Sequence, residues 1–255
     1  MSSDSQRFLD FPPSDNNCRS CMNDASQFRA YGSAHLIVIG LTITTPFLLA
    51  TIARTRRLER TIIAAIVTVL IVNYVGYLIF IRAHGMTNWL EMLPLQMCDW
   101  AMVVVIVALW TGNARWFEVA YFWGIGGTLQ AVLTPNLPYG FPDLRFFSFF
   151  ISHSTIIVGV VFLMIAQRLR PYPMSIVRVW LWSELYFVVT FVADQLTGFN
   201  YGFLLHKPEE FSLLSLLADW RPLYLLQMHG LALLFFLVLY IPFAIVDLVK
   251  KRREL

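Results

Sequence analysis

The sequence predicts an all-α fold, a polytopic bundle of about seven transmembrane helices. Three observations predict it. Of the 255 residues, 58% are hydrophobic, against roughly 45–50% in soluble domains. The apolar runs are long and continuous, without the two-residue alternation of a membrane barrel. Lys and Arg are sorted onto alternate loops, as the orientation of membrane helices requires.

The elements follow in order. The first ~34 residues are polar and lack the apolar stretch of a cleavable signal peptide. Residues 35–53 form the first window, which ends at the basic run "RTRRLER". Residues 62–81 follow, bounded by Arg82. The third window, 95–111, is the shortest and opens just behind Pro94, a residue that suits a first helical turn. The fourth, 116–134, starts after Arg115 and stops at "TPNLPYGFPD", which is too rich in proline to be helical and reads as an ordered cap. Windows 146–167 and 175–195 are separated by a loop with Arg168 and Arg170, and Arg178 lies close by. The last, 223–247, starts after Pro222 and runs to the basic tail of residues 250–255. Each spans, or nearly spans, about 30 Å of hydrocarbon at 1.5 Å per residue. The bundle domain is thus 35–249, between a polar N-terminal tail (1–34) and a basic C-terminal one.

Twelve of the 19 basic residues fall on one face: Arg54, Arg56, Arg57, Arg60, Arg115, Arg168, Arg170, Arg178, Lys250, Lys251, Arg252 and Arg253. The positive-inside rule then puts the N-terminus outside and the C-terminus in the cytoplasm of a multi-pass cell-membrane protein. Trp89, Trp110, Trp116, Trp180 and Trp220 fall near window ends, as interfacial aromatics do. With the basic residues explained by topology, the net charge of +3 gives no ground for nucleic-acid binding. No internal repeat supports an inverted-repeat transporter.

Polar residues collect in the outer halves of several windows: Asn73, Cys98, Gln130, His153, Asp194, Gln227 and His229. Polar groups are costly in lipid, so they face the bundle or a wet cavity. An outward-facing polar cavity is the main expectation. Asn73 and Gln130 have a plainer reading as interhelical hydrogen-bonding groups, and Asp194 one as a solvated helix end. Glu184, near a midplane, reads as functional or tightly paired. Cys98 and His153 lie at similar depth, about 6 and 10 Å inside the outer ends of their windows. Cys98 is close to a helix amino end, where the dipole favours a thiolate; Asp99 opposes that charge unless it points away. His153 at the same depth is a candidate base, and Gln96, Gln227 and Asn136 are candidate oxyanion donors. A lone cysteine is more often a small buried hydrophobe. Cys98, Asp99, His153 and His229 are ligand types suited to zinc, but no local ligand pair such as H-E-x-x-H anchors them. Cys18 and Cys21 form a CxxC on the exported side, readable as a disulfide or as plain tail cysteines.

The segments "LPLQMCDWA", "LTPNLP", "FFSFFISHSTIIVGVVF", "GFNYGFLLHKP" and "WRPLYLLQMHGLALLFFLVLYIPF" occur in this order over residues 35 to 250. As a set they resemble the YwaF-like family of bacterial integral membrane proteins, related to a eukaryotic transmembrane acyltransferase of ether-phospholipid remodelling. The resemblance implies a bundle of six or seven spans and transfer of a fatty acyl chain through an acyl-cysteine assisted by a histidine. On matching positions these are Cys98 and His153. Asn200, Tyr201, Lys207 and Pro208 match elements without an assigned role.

The expected function is therefore a membrane-embedded acyltransferase or lipid hydrolase acting on membrane phospholipids. Cys98 and His153 are its catalytic pair, and Gln96, Asp99, Gln130, Asn136, Asp194, Asn200, Gln227 and His229 its candidate substrate contacts. This reading calls for no cofactor, metal or nucleic acid. The alternatives are a small-molecule or ion transporter or receptor using the same cavity, with Glu184 central, and a structural membrane protein.

Overall fold

A computed structural model describes residues 27–85, 89–90, 92–135, 137–208 and 212–253. The expectations for Cys18, Cys21 and Asn136 lie outside the described residues. The helices are α1 (Ser33–Ile52), α2 (Arg56–Ala83), α3 (Met97–Thr111), α4 (Ala114–Trp123), α5 (Leu129–Leu133), α6 (Leu144–Ala166), α7 (Pro173–Thr197) and α8 (Arg221–Arg253). A π-turn, Gly124–Thr128, joins α4 to α5 so that the two form one continuous passage. Short 3₁₀ turns, Tyr201–Phe203 and Leu213–Leu216, lie between α7 and α8. Among the described residues the only β pairing is an isolated bridge, Gln27 with Tyr139.

Each of the seven windows becomes a helical passage. Five helices, α1, α2, α6, α7 and α8, are long and apolar enough to cross a membrane by themselves. α3 is apolar but has only 15 residues, and the fourth passage is broken by the π-turn. These two lean on their neighbours, and seven of the ten residues of α4 are buried. The last helix also runs further than expected, through Lys250 and Lys251 to Arg253, so the basic tail continues α8.

Connections alternate between two ends. At one end the Phe28 amide donates to the Pro138 carbonyl (3.1 Å), and the Tyr201 hydroxyl donates to Leu90 O. The N-terminal segment meets the α5–α6 loop there, and the α7–α8 loop meets the α2–α3 loop. At the other end Gln167 donates to Glu59 (2.7 Å) and Arg170 pairs with Asp247. Arg178 grips Glu118 through Nε and Nη2 at 2.7 and 2.6 Å. This second end carries the twelve basic residues named above.

The core lies among α2, α3, α4 and α6, where Leu70, Val105, Ala108, Phe117, Phe122, Ile156, Phe162 and Leu163 are fully buried. Two glycines allow the helices to close up. A Cβ on Gly159 would stand 3.1 Å from Val105 and 3.2 Å from Leu109; one on Gly124 would meet Val160 at 3.1 Å and Ile156 at 3.2 Å. α8, by contrast, turns Leu226, Leu234, Ile241 and Leu248 outward, where a membrane helix meets lipid.

Candidate functional site

A cavity of about 630 Å³ opens between the α3–α6 core and the pair α7–α8. The volume falls in the range of about 300–1,000 Å³ typical of small-molecule and cofactor sites. Five of the expected site residues line it: Gln96, Cys98, Gln130, His153 and His229. Glu184 joins them. Five separate passages thus send polar groups into one space with a mainly aromatic and aliphatic wall.

The local chemistry explains each placement. α3 starts at Met97, two residues later than expected, so Cys98 is in its first turn. Gln96 precedes the helix; its amide donates to Asp99 Oδ2 (3.1 Å). Asp99 therefore caps α3, where a carboxylate meets unpaired amides and the positive end of the dipole. It is not among the cavity-lining residues, and its expected role as a substrate contact gives way to a capping one. The Gln96 side chain accepts from the Gly202 amide (3.1 Å) and so fastens the turn after α7 to the mouth of α3. Gly202 has φ +62°, and a Cβ there would lie 2.6 Å from the Tyr186 hydroxyl. Only glycine fits this left-handed, crowded position. Tyr186 in turn donates to Leu95 O (3.1 Å).

His153 on α6 is buried, with its ring stacked on Phe149 at 4.2 Å. Its Nδ1 lies 2.7 Å from the Phe149 carbonyl oxygen. A carbonyl can only accept, so Nδ1 carries the proton and neutral His153 keeps its lone pair on Nε2. His229 on α8 repeats the arrangement, with Nδ1 2.7 Å from Leu225 O. Its Nε2 faces Glu184 Oε2 at 3.4 Å. The two lie within ion-pair distance and form a polar pair in the cavity wall. Trp180 and Phe187 wall this pair, with ring centroids 5.9 and 4.7 Å from His229. Trp180 is thus a cavity residue.

Other expected contacts are ties around the cavity. Asp194 is buried and accepts from the Tyr201 amide (2.8 Å). Asn200 accepts from Leu205 N (2.8 Å) and donates to His206 O (2.8 Å), which folds the turn after α7. Gln227 accepts from Ala218 N (2.7 Å). Lys207 reaches Asp219 (2.7 Å) and the Ser215 carbonyl, whereas Pro208 lines the cavity. Asp194, Asn200 and Gln227 therefore shape the mouth and do not line the cavity. Asn73 donates to Ser148 O (3.0 Å) and joins α2 to α6, its plainer reading. Gln130 takes the other course and faces the cavity. Sequence reasoning missed Gly126, Gly127 and Thr128, which also line it; the glycine cluster "GIGGT" within a span was the available signal. Among the described residues no group of three or more His, Cys, Asp or Glu side chains could hold a metal ion, and Cys98 is unbridged.

A family model matches residues 30–240, across every helix and the whole cavity. The chain belongs to the TMEM164 family. The matched region contains both Cys98 and His153, so the site lies within what the family shares in extent. No curated protein and no solved structure matches. Membership of the TMEM164 family and five membrane-length helices make this a membrane protein in contact with lipid.

Proposed function

We propose that this protein is a membrane-embedded acyltransferase or lipid hydrolase that acts on phospholipid acyl chains through Cys98 and His153. One observation carries the reading. Cys98 and His153 line the same cavity, and the Phe149 carbonyl holds His153 in the tautomer that leaves Nε2 free to take a proton. The likeness to YwaF-like proteins and to a eukaryotic transmembrane acyltransferase supports the same pair. So does the mainly apolar wall, which suits an acyl chain.

The chemistry runs in two halves. His153 Nε2 takes the Cys98 proton as Sγ attacks the ester carbonyl, and the imidazolium returns that proton to the departing lysolipid oxygen. A thioester on Cys98 remains. An acceptor hydroxyl or water then gives its proton to His153 and attacks the thioester; Cys98 leaves as thiolate and is reprotonated. An alcohol acceptor gives transfer, and water gives hydrolysis. With the basic end cytoplasmic by the positive-inside rule, Cys98 lies toward the outer leaflet of the cell membrane.

The test is acyl exchange in vesicles containing the purified protein. Cys98→Ala and Cys98→Ser should each lose it while retaining the wild-type melting profile. Wild-type exchange by Cys98→Ala overturns the reading. A second reading has an observation of its own: the Glu184–His229 pair, 3.4 Å apart in the cavity wall, suits a proton or cation path. It predicts flux that is lost in Glu184→Gln and survives Cys98→Ala.

A further inference from the structure

Thr128 stands out among the helical threonines. Thr44, Thr61, Thr111, Thr134 and Thr197 each donate their hydroxyl to the carbonyl four residues back, the usual resting place for such a group. Thr128 closes the π-turn Gly124–Thr128. There the wider i→i+5 winding means that the carbonyl four residues back no longer sits one turn beneath. Its hydroxyl is buried without a hydrogen-bond partner, and the residue is 2% exposed. Thr190, another threonine hydroxyl buried inside a helix, stands beside the Tyr186 hydroxyl and does not line the cavity. Thr128 does, together with Cys98 and His153. It lies five residues inside the end of α5, about 8 Å along the helix, at the level of the outer polar layer. An orphaned buried hydroxyl costs free energy unless something reaches it, and three glycines in the turn sacrifice helix propensity to keep it there.

We propose that the Thr128 hydroxyl is a catalytic hydrogen-bond donor to the acyl carbonyl oxygen, stabilising the oxyanion that forms when Cys98 attacks. The inference rests on the Cys98–His153 reading and deepens it. The π-turn leaves the donor without a partner in its own helix, in a residue that borders the cavity, and rotation about its χ1 brings the hydroxyl from its buried position to a ligand oxygen. The same donor serves both half-reactions, because the carbonyl oxygen becomes an oxyanion on acylation and again on deacylation. No proton is transferred by Thr128.

The experiment compares wild type, Thr128→Val and Thr128→Ser in phospholipid vesicles. It follows turnover, KM for the phospholipid, and the infrared carbonyl band of the acyl group on Cys98. Valine keeps the shape and removes the O–H. It should lower kcat by about 10- to 1,000-fold, the range for loss of one oxyanion donor, with KM nearly unchanged and the thioester carbonyl band moved to higher wavenumber. Serine should restore most of the rate and the wild-type band. A wild-type acylation rate in Thr128→Val overturns the assignment of Thr128 and leaves Cys98 standing. Equal loss in the serine and valine variants, with a lower melting temperature and an unmoved band, marks a packing role and also overturns it. Absence of any Cys98-linked acyl group in wild type, with turnover surviving Cys98→Ala, removes both proposals together.

Discussion

The two halves of the bundle are built on different principles. In α6 half of the apolar membrane window is buried; in α8 the figure is 6%. Around α6 aliphatic side chains interlock with α2, α3 and α4, and Gly124 and Gly159 bring backbones close. α7 buries a different set: Ser175, Tyr186, Thr190 and Asp194, with Val179 the one aliphatic among them. It is held to the other half by discrete polar ties, Trp123 to Ser183 (3.0 Å), Tyr186 to Leu95 and Arg178 to Glu118. α8 is tied by Tyr121 to Leu239 O (2.9 Å). Dense packing leaves no room; point contacts leave a gap. The cavity occupies the seam, with its base on the rigid half and its Glu184–His229 pair on the other.

That comparison can be broken at its ties. Glu118 is buried, its side chain 4% exposed, and Arg178 is 28% exposed. Glu118→Gln should cost about 3 kcal/mol, because it leaves a part-buried guanidinium without its counter-charge. Denaturant unfolding in detergent reads this loss. No change would mean that the halves hold together without the tie.

Next in size is a pair of glycines, one from each setting. Gly159→Leu forces a side chain against Val105 and Leu109 and should destabilise by about 1–3 kcal/mol. A Cβ on Gly127 meets nothing within 4 Å. Gly127→Leu should therefore fold normally, with less than about 1 kcal/mol of change, while it fills the cavity and abolishes acyl exchange. Thermal melts and exchange assays on the two proteins should give opposite patterns. Equal destabilisation would erase the distinction between packed half and open seam.

The smallest effect lies outside the membrane spans. Asp143 caps α6 and accepts from Arg145 Nε and Nη2 at 2.9 and 2.7 Å. The Arg145 side chain holds the Asp143 carboxyl below its ordinary value of 3.8. With the folded value depressed, the stabilisation is present above the unfolded pKa and is lost as pH falls through the folded one. The melting difference between wild type and Asp143→Asn should thus be small but measurable at neutral pH and vanish in strong acid. A difference that grows on acidification would contradict the pairing.

Helix positions were legible because lipid imposes one simple demand on composition; six of the seven window starts fall within two residues of the observed ones. The exception is α2, which begins at Arg56 within the basic run, where charge concealed a helix capped by Thr55. Depth was legible too, and brought Cys98, Gln130, His153 and His229 to one cavity. Direction was not. Asp194 and Gln227 lie at the right level but bond to the connecting segment between α7 and α8, and a 3.6-residue period does not say which loop will fold back over a helix end. Asp99 and Cys98 are adjacent, yet one caps the helix and the other faces the cavity. Thr128 was invisible for a related reason: its significance depends on a one-residue change of winding.

Whether Cys98 carries the acyl group is read by mass spectrometry of the purified protein after incubation with phospholipid vesicles. The expected result is a fatty acyl mass on the peptide containing Cys98, released by hydroxylamine, absent from Cys98→Ala and formed much more slowly in His153→Ala. Full lipid exchange with an unmodified Cys98 peptide, sampled throughout turnover, would contradict it.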